Sequence, residues 1–171
     1  MEKKYTLAEI EMEVDRLAAI IGASKDDLPT YGYSRDFAYP HIEVDSQGYH
    51  YVIVERGHEL RRITTNDLDI LLYHIFEDIT AEIGANYSAN HRIKDQDFRR
   101  LYFQHQIELL NRLSPKWAVI ESKEHERILR EHPYHDFASL DAKPDYSLRG
   151  EGSSGPEAKK ITNRKYPESK P

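Results

Sequence analysis

A chain of 171 residues can bury one substantial core, and its zero cysteines exclude disulfides, thiolate metal sites and cysteine nucleophiles together. The net charge of −6 is unevenly spread: residues 1–84 hold 17 acids against 8 bases. That balance speaks against a nucleic-acid binder, which needs a basic face to displace counterions, and suits a basic protein partner.

No run reaches the ~20 apolar residues of a membrane span, and the N-terminus MEKKYTLAEIEMEVDRL has no signal-peptide core. A cytoplasmic protein without membrane contact is expected. The first helix is announced by a capping box, Thr6 with Glu9, and by the stripe Leu7, Ile10, Val14, Leu17 and Ile21 before a stop at Gly22. Its outer acids, Glu9, Glu11, Glu13 and Asp15, suit a helix N-terminus through the dipole. Residues 23–38 are loop-rich, punctuated by Pro29, Gly32 and Ser34, with Tyr31, Tyr33 and Phe37 expected to pin the loop to a sheet edge.

Tyr39 to Asp45 alternates as a half-buried strand, with Ile42 and Val44 on one side and His41, Glu43 and Asp45 on the other. Ser46-Gln47-Gly48 reads as a short loop, returning the chain antiparallel through the aromatic and β-branched run Tyr49–Glu55. Gly57 breaks that strand, and Glu59–Thr64 reads as a third, more polar one. The period then changes: Leu68, Leu71, Leu72, Ile75, Phe76, Ile79 and Ile83 mark one face of a helix of about five turns. Residues 84–96 have no clean period, compatible with a loop or with a helix resuming near Ser88. Phe98, Leu101, Tyr102, His105, Leu109 and Leu113 outline a third helix. Ser114-Pro115 starts a fourth carrying Trp117, Ile120, Ile128 and Leu129.

The predicted fold is α+β: one N-terminal helix, a three- to four-stranded antiparallel sheet, then three helices packed on one face. Residues 1–138 form a single domain in this reading, and the Gly-, Ser-, Pro- and Lys-rich stretch 139–171 is a disordered polar tail.

The chemistry-bearing patterns are weak. His-x-x-Glu occurs at His74/Glu77 and His105/Glu108, but the first pair lies away from the apolar stripe and His105 sits within one, so no metal site is expected. His58 with Glu55 and Glu59 around Gly57 offers the components of a small acid-base or metal-dependent hydrolase or nuclease, the alternative function. No phosphate-binding loop, dinucleotide fingerprint or nucleophile elbow is present. The polar side of the first strand is more suggestive. His41, Glu43 and Asp45 across from Tyr49 and Tyr51 would form an exposed patch of carboxylates and tyrosines, a composition that interfaces favour.

The segments GYSRDFAYPHIEVD (32–45), GYHYVIVERGHELRR with Thr64 and Thr65 (48–65, apart from Ile63), DLDILLYHIFEDIT (67–80) and HRIKDQDFRRLYFQHQIELL (91–110) are similar, in this order, to the bacterial immunity protein 63 family, over roughly residues 5–136. That resemblance implies a cytoplasmic antidote of a polymorphic toxin system. It would bind the cognate toxin, the C-terminal domain of a secreted effector, with no catalytic residues, no cofactor and no metal. The candidate toxin-binding residues are Tyr33, Asp36, His41, Glu43, Asp45, Tyr49, Tyr51 and Glu55.

Overall fold

The structure, a computed structural model, describes residues 4–137; the predicted tail lies outside them. The elements in chain order are α1 (Leu7–Ile21), β1 (Thr30–Tyr31), β2 (Tyr39–Asp45), β3 (Gly48–Glu55), β4 (His58–Thr65), α2 (Leu68–Asn90), α3 (Phe98–Leu113) and α4 (Pro115–Glu131). Among the described residues they distribute over two compact units, one of residues 4–83 with 106–121, the other of residues 84–105 with 122–137.

In the first unit, α1 begins on the predicted capping box. The Glu9 amide donates to the Thr6 hydroxyl (3.3 Å) and the Thr6 amide to the Glu9 carboxylate (2.9 Å). The sheet order is β1-β2-β3-β4. β2, β3 and β4 are antiparallel hairpin neighbours, as expected. The sheet as a whole is mixed, because β1 pairs parallel with β2 (Thr30 with His41, Tyr31 with Ile42). Two residues inside a loop are too few to leave a periodicity.

The β2–β3 connection corrects the sequence reading. Asp45 pairs with Gly48 and Val44 with Tyr49, so the turn holds two residues, Ser46 and Gln47, rather than three. Residues paired across an antiparallel ladder share a face, and a shift of one residue exchanges faces. Tyr49 and Tyr51 therefore join Val44 and Ile42 on the core side, where they are 2% and 1% exposed. Gly48 is required at the turn: its φ is +139°, and a Cβ there would meet the Thr65 carbonyl oxygen at 2.5 Å.

The core of this unit joins Ile10, Val14 and Leu17 of α1, Ile42 and Tyr51 of the sheet, and Leu71, Ile75 and Phe76 of α2. Leu109 and Leu110 of α3 and Trp117 of α4 complete it. Trp117 stacks on Phe76 (6.0 Å between centroids) and donates its indole N–H to Asp69 (3.0 Å). Tyr73 donates to the buried Glu121 carboxylate (2.8 Å). Two expected helix faces are rotated. Phe98 is 50% exposed and Ile120 is exposed, whereas Gln106, Glu121 and His125 are buried. Buried polar groups that find hydrogen-bond partners, such as Gln106 donating to the Glu77 carbonyl (3.2 Å), are invisible to an apolar count.

In the second unit, residues 84–90 are helical, continuing α2. Gly84 permits this, since a Cβ there would touch the Tyr102 ring and carbonyl at 3.0 Å. Tyr87 stacks against both His91 (4.1 Å) and His105 (4.0 Å), and Phe103 against His125 (3.9 Å). Asp97 accepts from the Arg99 guanidinium (2.7 Å) and from the backbone amides of Arg99 (3.0 Å) and His135 (2.9 Å). Burial works to raise that carboxyl, but these donors outweigh it and hold it at about 2.

Candidate partner-binding surface

The eight residues picked out by the sequence separate into three groups. Tyr49 and Tyr51 belong to the core: Tyr49 accepts a hydrogen bond from the Tyr5 amide (2.8 Å), and Tyr51 donates its hydroxyl to Asp78. They are not part of an exposed patch. Burial first, and then the negative charge of Asp78, push the Tyr51 phenol well above its ordinary range, so it remains a hydrogen-bond donor.

His41, Glu43 and Asp45 occupy the opposite sheet face, together with His50, Val52, Arg62 and Thr64 of β3 and β4. Glu43 and Arg62 stand on strands separated by β3, so their backbones lie two strand spacings apart, about 9.5 Å. Their ion pair at 2.8 Å therefore closes over the middle strand, where Val52 and His50 are buried. Arg62 also holds Glu59 (2.8 Å), Glu43 lies 3.1 Å from His41 Nε2, and Asp45 lies 2.8 Å from His50 Nε2. The hydrogen bond from Arg62 is the main cause that lowers Glu43, and that from His50 the main cause that lowers Asp45. This face is a lattice of acids that already have cationic or imidazole partners.

Asp36 and Glu55 both lie near the β3–β4 turn, Glu55 as the last residue of β3 and Asp36 through its contact with Gly57. The Asp36 carboxylate faces the Gly57 amide (3.4 Å), and the Ala38 amide donates to the Val54 carbonyl (2.9 Å), tying the loop to the β3–β4 turn. Asp36, Phe37 and Ala38 form three consecutive left-handed residues with φ of 61°, 56° and 58°. Each costs about 1–2 kcal/mol in an L-residue. Phe37, expected to pin the loop down, is instead 87% exposed at the tip of this turn, and Tyr33 nearby in the chain is 62% exposed. No glycine marks the turn in the sequence, which is why Phe37 did not stand out.

The patterns weighed for chemistry resolve differently. His58, Glu55 and Glu59 are exposed on the β3–β4 hairpin, and the Arg62 hydrogen bond holds Glu59 below the usual carboxylate range, a poor setting for a general base. His74 and Glu77 contact each other (3.0 Å) and are half-buried rather than fully solvent-facing. Among the described residues no group of three His, Asp or Glu side chains is placed to hold a metal ion. No helix there is long and apolar enough to cross a membrane.

Residues 45–127 match the model of the family described as Immunity protein 63. Over this stretch the chain is similar to the immunity protein 63 family. No curated protein and no solved structure matches the chain. The immunity protein 63 region takes in the last residue of β2, then β3, β4, α2, α3 and most of α4. α1, β1 and the left-handed turn precede it. Tyr49, Tyr51 and Glu55 fall inside the region, Asp45 is its first residue, and Tyr33, Asp36, His41 and Glu43 lie before it. The match points to an immunity protein with a toxin partner and away from catalysis.

Proposed function

We propose that this protein neutralises a cognate toxin of a polymorphic toxin system by stoichiometric binding in the cytoplasm, so that the producing bacterium survives its own effector. The observation that carries the proposal is the immunity protein 63 match over residues 45–127. The acidic first half supports it, because complementary fields speed encounter with a basic protein. Residues 1–138 act as the immunity domain, and residues 139–171 as a polar tail beyond it.

Of the residues named from the sequence, exposed Tyr33 and the Asp36/Glu55 end of the sheet are the better candidates for toxin contact, joined by Phe37. Glu43 and Asp45 are candidates on the opposite face, although their charge is already partnered within the chain. The test is co-expression with the C-terminal domain encoded by the large reading frame directly upstream, scoring survival and then co-purification. Rescue with a stable one-to-one complex is expected. A toxic domain that is neither rescued nor co-purified would remove the cognate-pair reading. In a second round, Glu43→Lys with Asp45→Lys is compared with Phe37→Ala. Full protection by the acidic-strand double variant would take that face out of the interface.

A further inference from the structure

A groove opens in the first unit where α2 departs from the core side of the sheet, with a cavity of about 250 Å³. Its floor is apolar, laid by Pro40, Tyr51 and Ile53 of the sheet and by Ile75 and Ile79 of α2. Its mouth carries four carboxylates: Asp26 and Asp27 from the single 3-10 turn after α1, and Asp78 and Glu82 from α2. None of the residues lining it is basic. The nearest cations are engaged elsewhere or only partly offset this charge. Arg35 lies over the Tyr39 ring (4.3 Å), and Arg61 is shared between Asp78 (3.4 Å) and Glu77 (3.5 Å). Asp27 caps its own turn by accepting from the Ser24 amide (3.0 Å). Asp26 and Glu82 are exposed and form no ion pair among the described residues. Phe37 stands at the lip, held out by the left-handed turn.

We propose that this groove seats one arginine side chain of the partner protein, an inference that rests on the toxin-binding reading above. Sites for drug-sized ligands run to about 300–1,000 Å³, so this cavity suits a single long side chain better than a free metabolite. The methylenes of an arginine match the aliphatic floor, its planar guanidinium stacks on the exposed aromatic at the lip, and its fork of donors meets Asp26 and Glu82. A lysine would satisfy the charge but neither the stacking nor the two-pronged geometry. A desolvated cation between unpaired acids beside an exposed aromatic has the make-up of an interface hot spot, which the partnered acids of the opposite sheet face lack.

The test has two arms. In the first, the wild-type complex with the upstream-encoded domain is compared with Asp26→Asn/Glu82→Gln, with Phe37→Ala, and with Glu126→Gln/Glu131→Gln, which removes equal charge from exposed positions of α4. A rise of at least about tenfold in Kd for the groove variants, with the control unchanged, is expected for a contact of this kind. Groove variants that bind as tightly as wild type, while the complex itself forms, overturn the groove and leave the toxin reading standing. In the second arm, acetyl-arginine-methylamide is titrated into labelled full-length protein alone. Saturating amide shifts are expected at Phe37, Ile53, Ile75 and Ile79, and they should be lost in Asp26→Asn/Glu82→Gln. Shifts reproduced by the neutral acetyl-glutamine-methylamide, or absent from these positions, overturn the proposal whether or not the toxin partner is correct. Arginine-specific shifts without any toxin complex would keep the groove and remove the toxin.

Discussion

The Tyr51 hydroxyl donates to the Asp78 carboxylate, joining β3 to α2 where both line the groove. Burial raises the Asp78 carboxyl, and the Tyr51 hydrogen bond and Arg61 act against that rise. Tyr51→Phe removes one of the two brakes while keeping the ring's packing. It should cost about 1–2 kcal/mol at pH 7, where a buried carboxylate loses a donor. A carboxyl raised in the folded state destabilises when ionised, and that cost is relieved as pH falls through the raised value. Urea titrations from pH 7 downward should therefore show the gap between variant and wild type narrowing with acid. A gap that widens instead would mean the bond does not govern Asp78.

Asp97 titrates in the opposite sense. Its carboxyl is lowered from 3.8 to about 2, which corresponds to about 2 kcal/mol of stabilisation of the ionised form. That contribution is complete above about pH 4 and disappears as pH falls towards 2. Asp97→Asn should be less stable than wild type by about 2 kcal/mol at pH 7, and the difference should shrink through that acidic window. Denaturation curves at three or four pH values decide it.

Glycine at Ala38 is a test of the left-handed turn. At φ 58° an alanine carries a steric cost that glycine lacks, partly offset by the larger entropy of glycine in the unfolded chain. Ala38→Gly should stabilise by about 0.5–1 kcal/mol, seen as a rise of roughly 2–4 °C in Tm. Ala19→Gly, the same substitution on the exposed face of α1, should lose about 1 kcal/mol. Equal signs for the two would contradict the backbone assignment.

Gly48→Ala is expected to be among the more damaging single changes in the sheet, since this turn-flanking glycine is buried. It combines an unfavourable φ with a 2.5 Å approach to the Thr65 backbone, so the two hairpins must move apart. A loss of about 2 kcal/mol or more is expected in thermal or urea unfolding. A near-neutral result would show that the β2–β3 turn adjusts freely.

Much of this architecture could be read directly from residue order. The capping box at Thr6 and Glu9, the stripe Ile10–Val14–Leu17, the three hairpin-linked strands and the start of α4 at Ser114-Pro115 each rest on local chemistry. They are present as expected. What was not legible depends on partners distant in sequence. The turn length at Ser46–Gln47 is set by the ladder as much as by the turn residues, and a one-residue difference moved Tyr49 and Tyr51 from the supposed interface into the core. The face of α3 is turned by the buried amide of Gln106, and that of α4 by Glu121 and His125. Phe37 is lifted out by a turn built without glycine, and the groove assembles from four separate stretches of chain.

Turns at a protein's surface are ordinarily where a lineage can absorb an insertion. The two-residue turn between Asp45 and Gly48 is a poor place for one. A single added codon would rotate every downstream side chain of β3 by half a turn, carrying Tyr49 and Tyr51 to the face of Glu43 and Arg62 and driving His50 into the oil of the core. Descendants of this chain can drift in the identity of Ser46 and Gln47, yet their number is held fixed by the ladder pairs on either side.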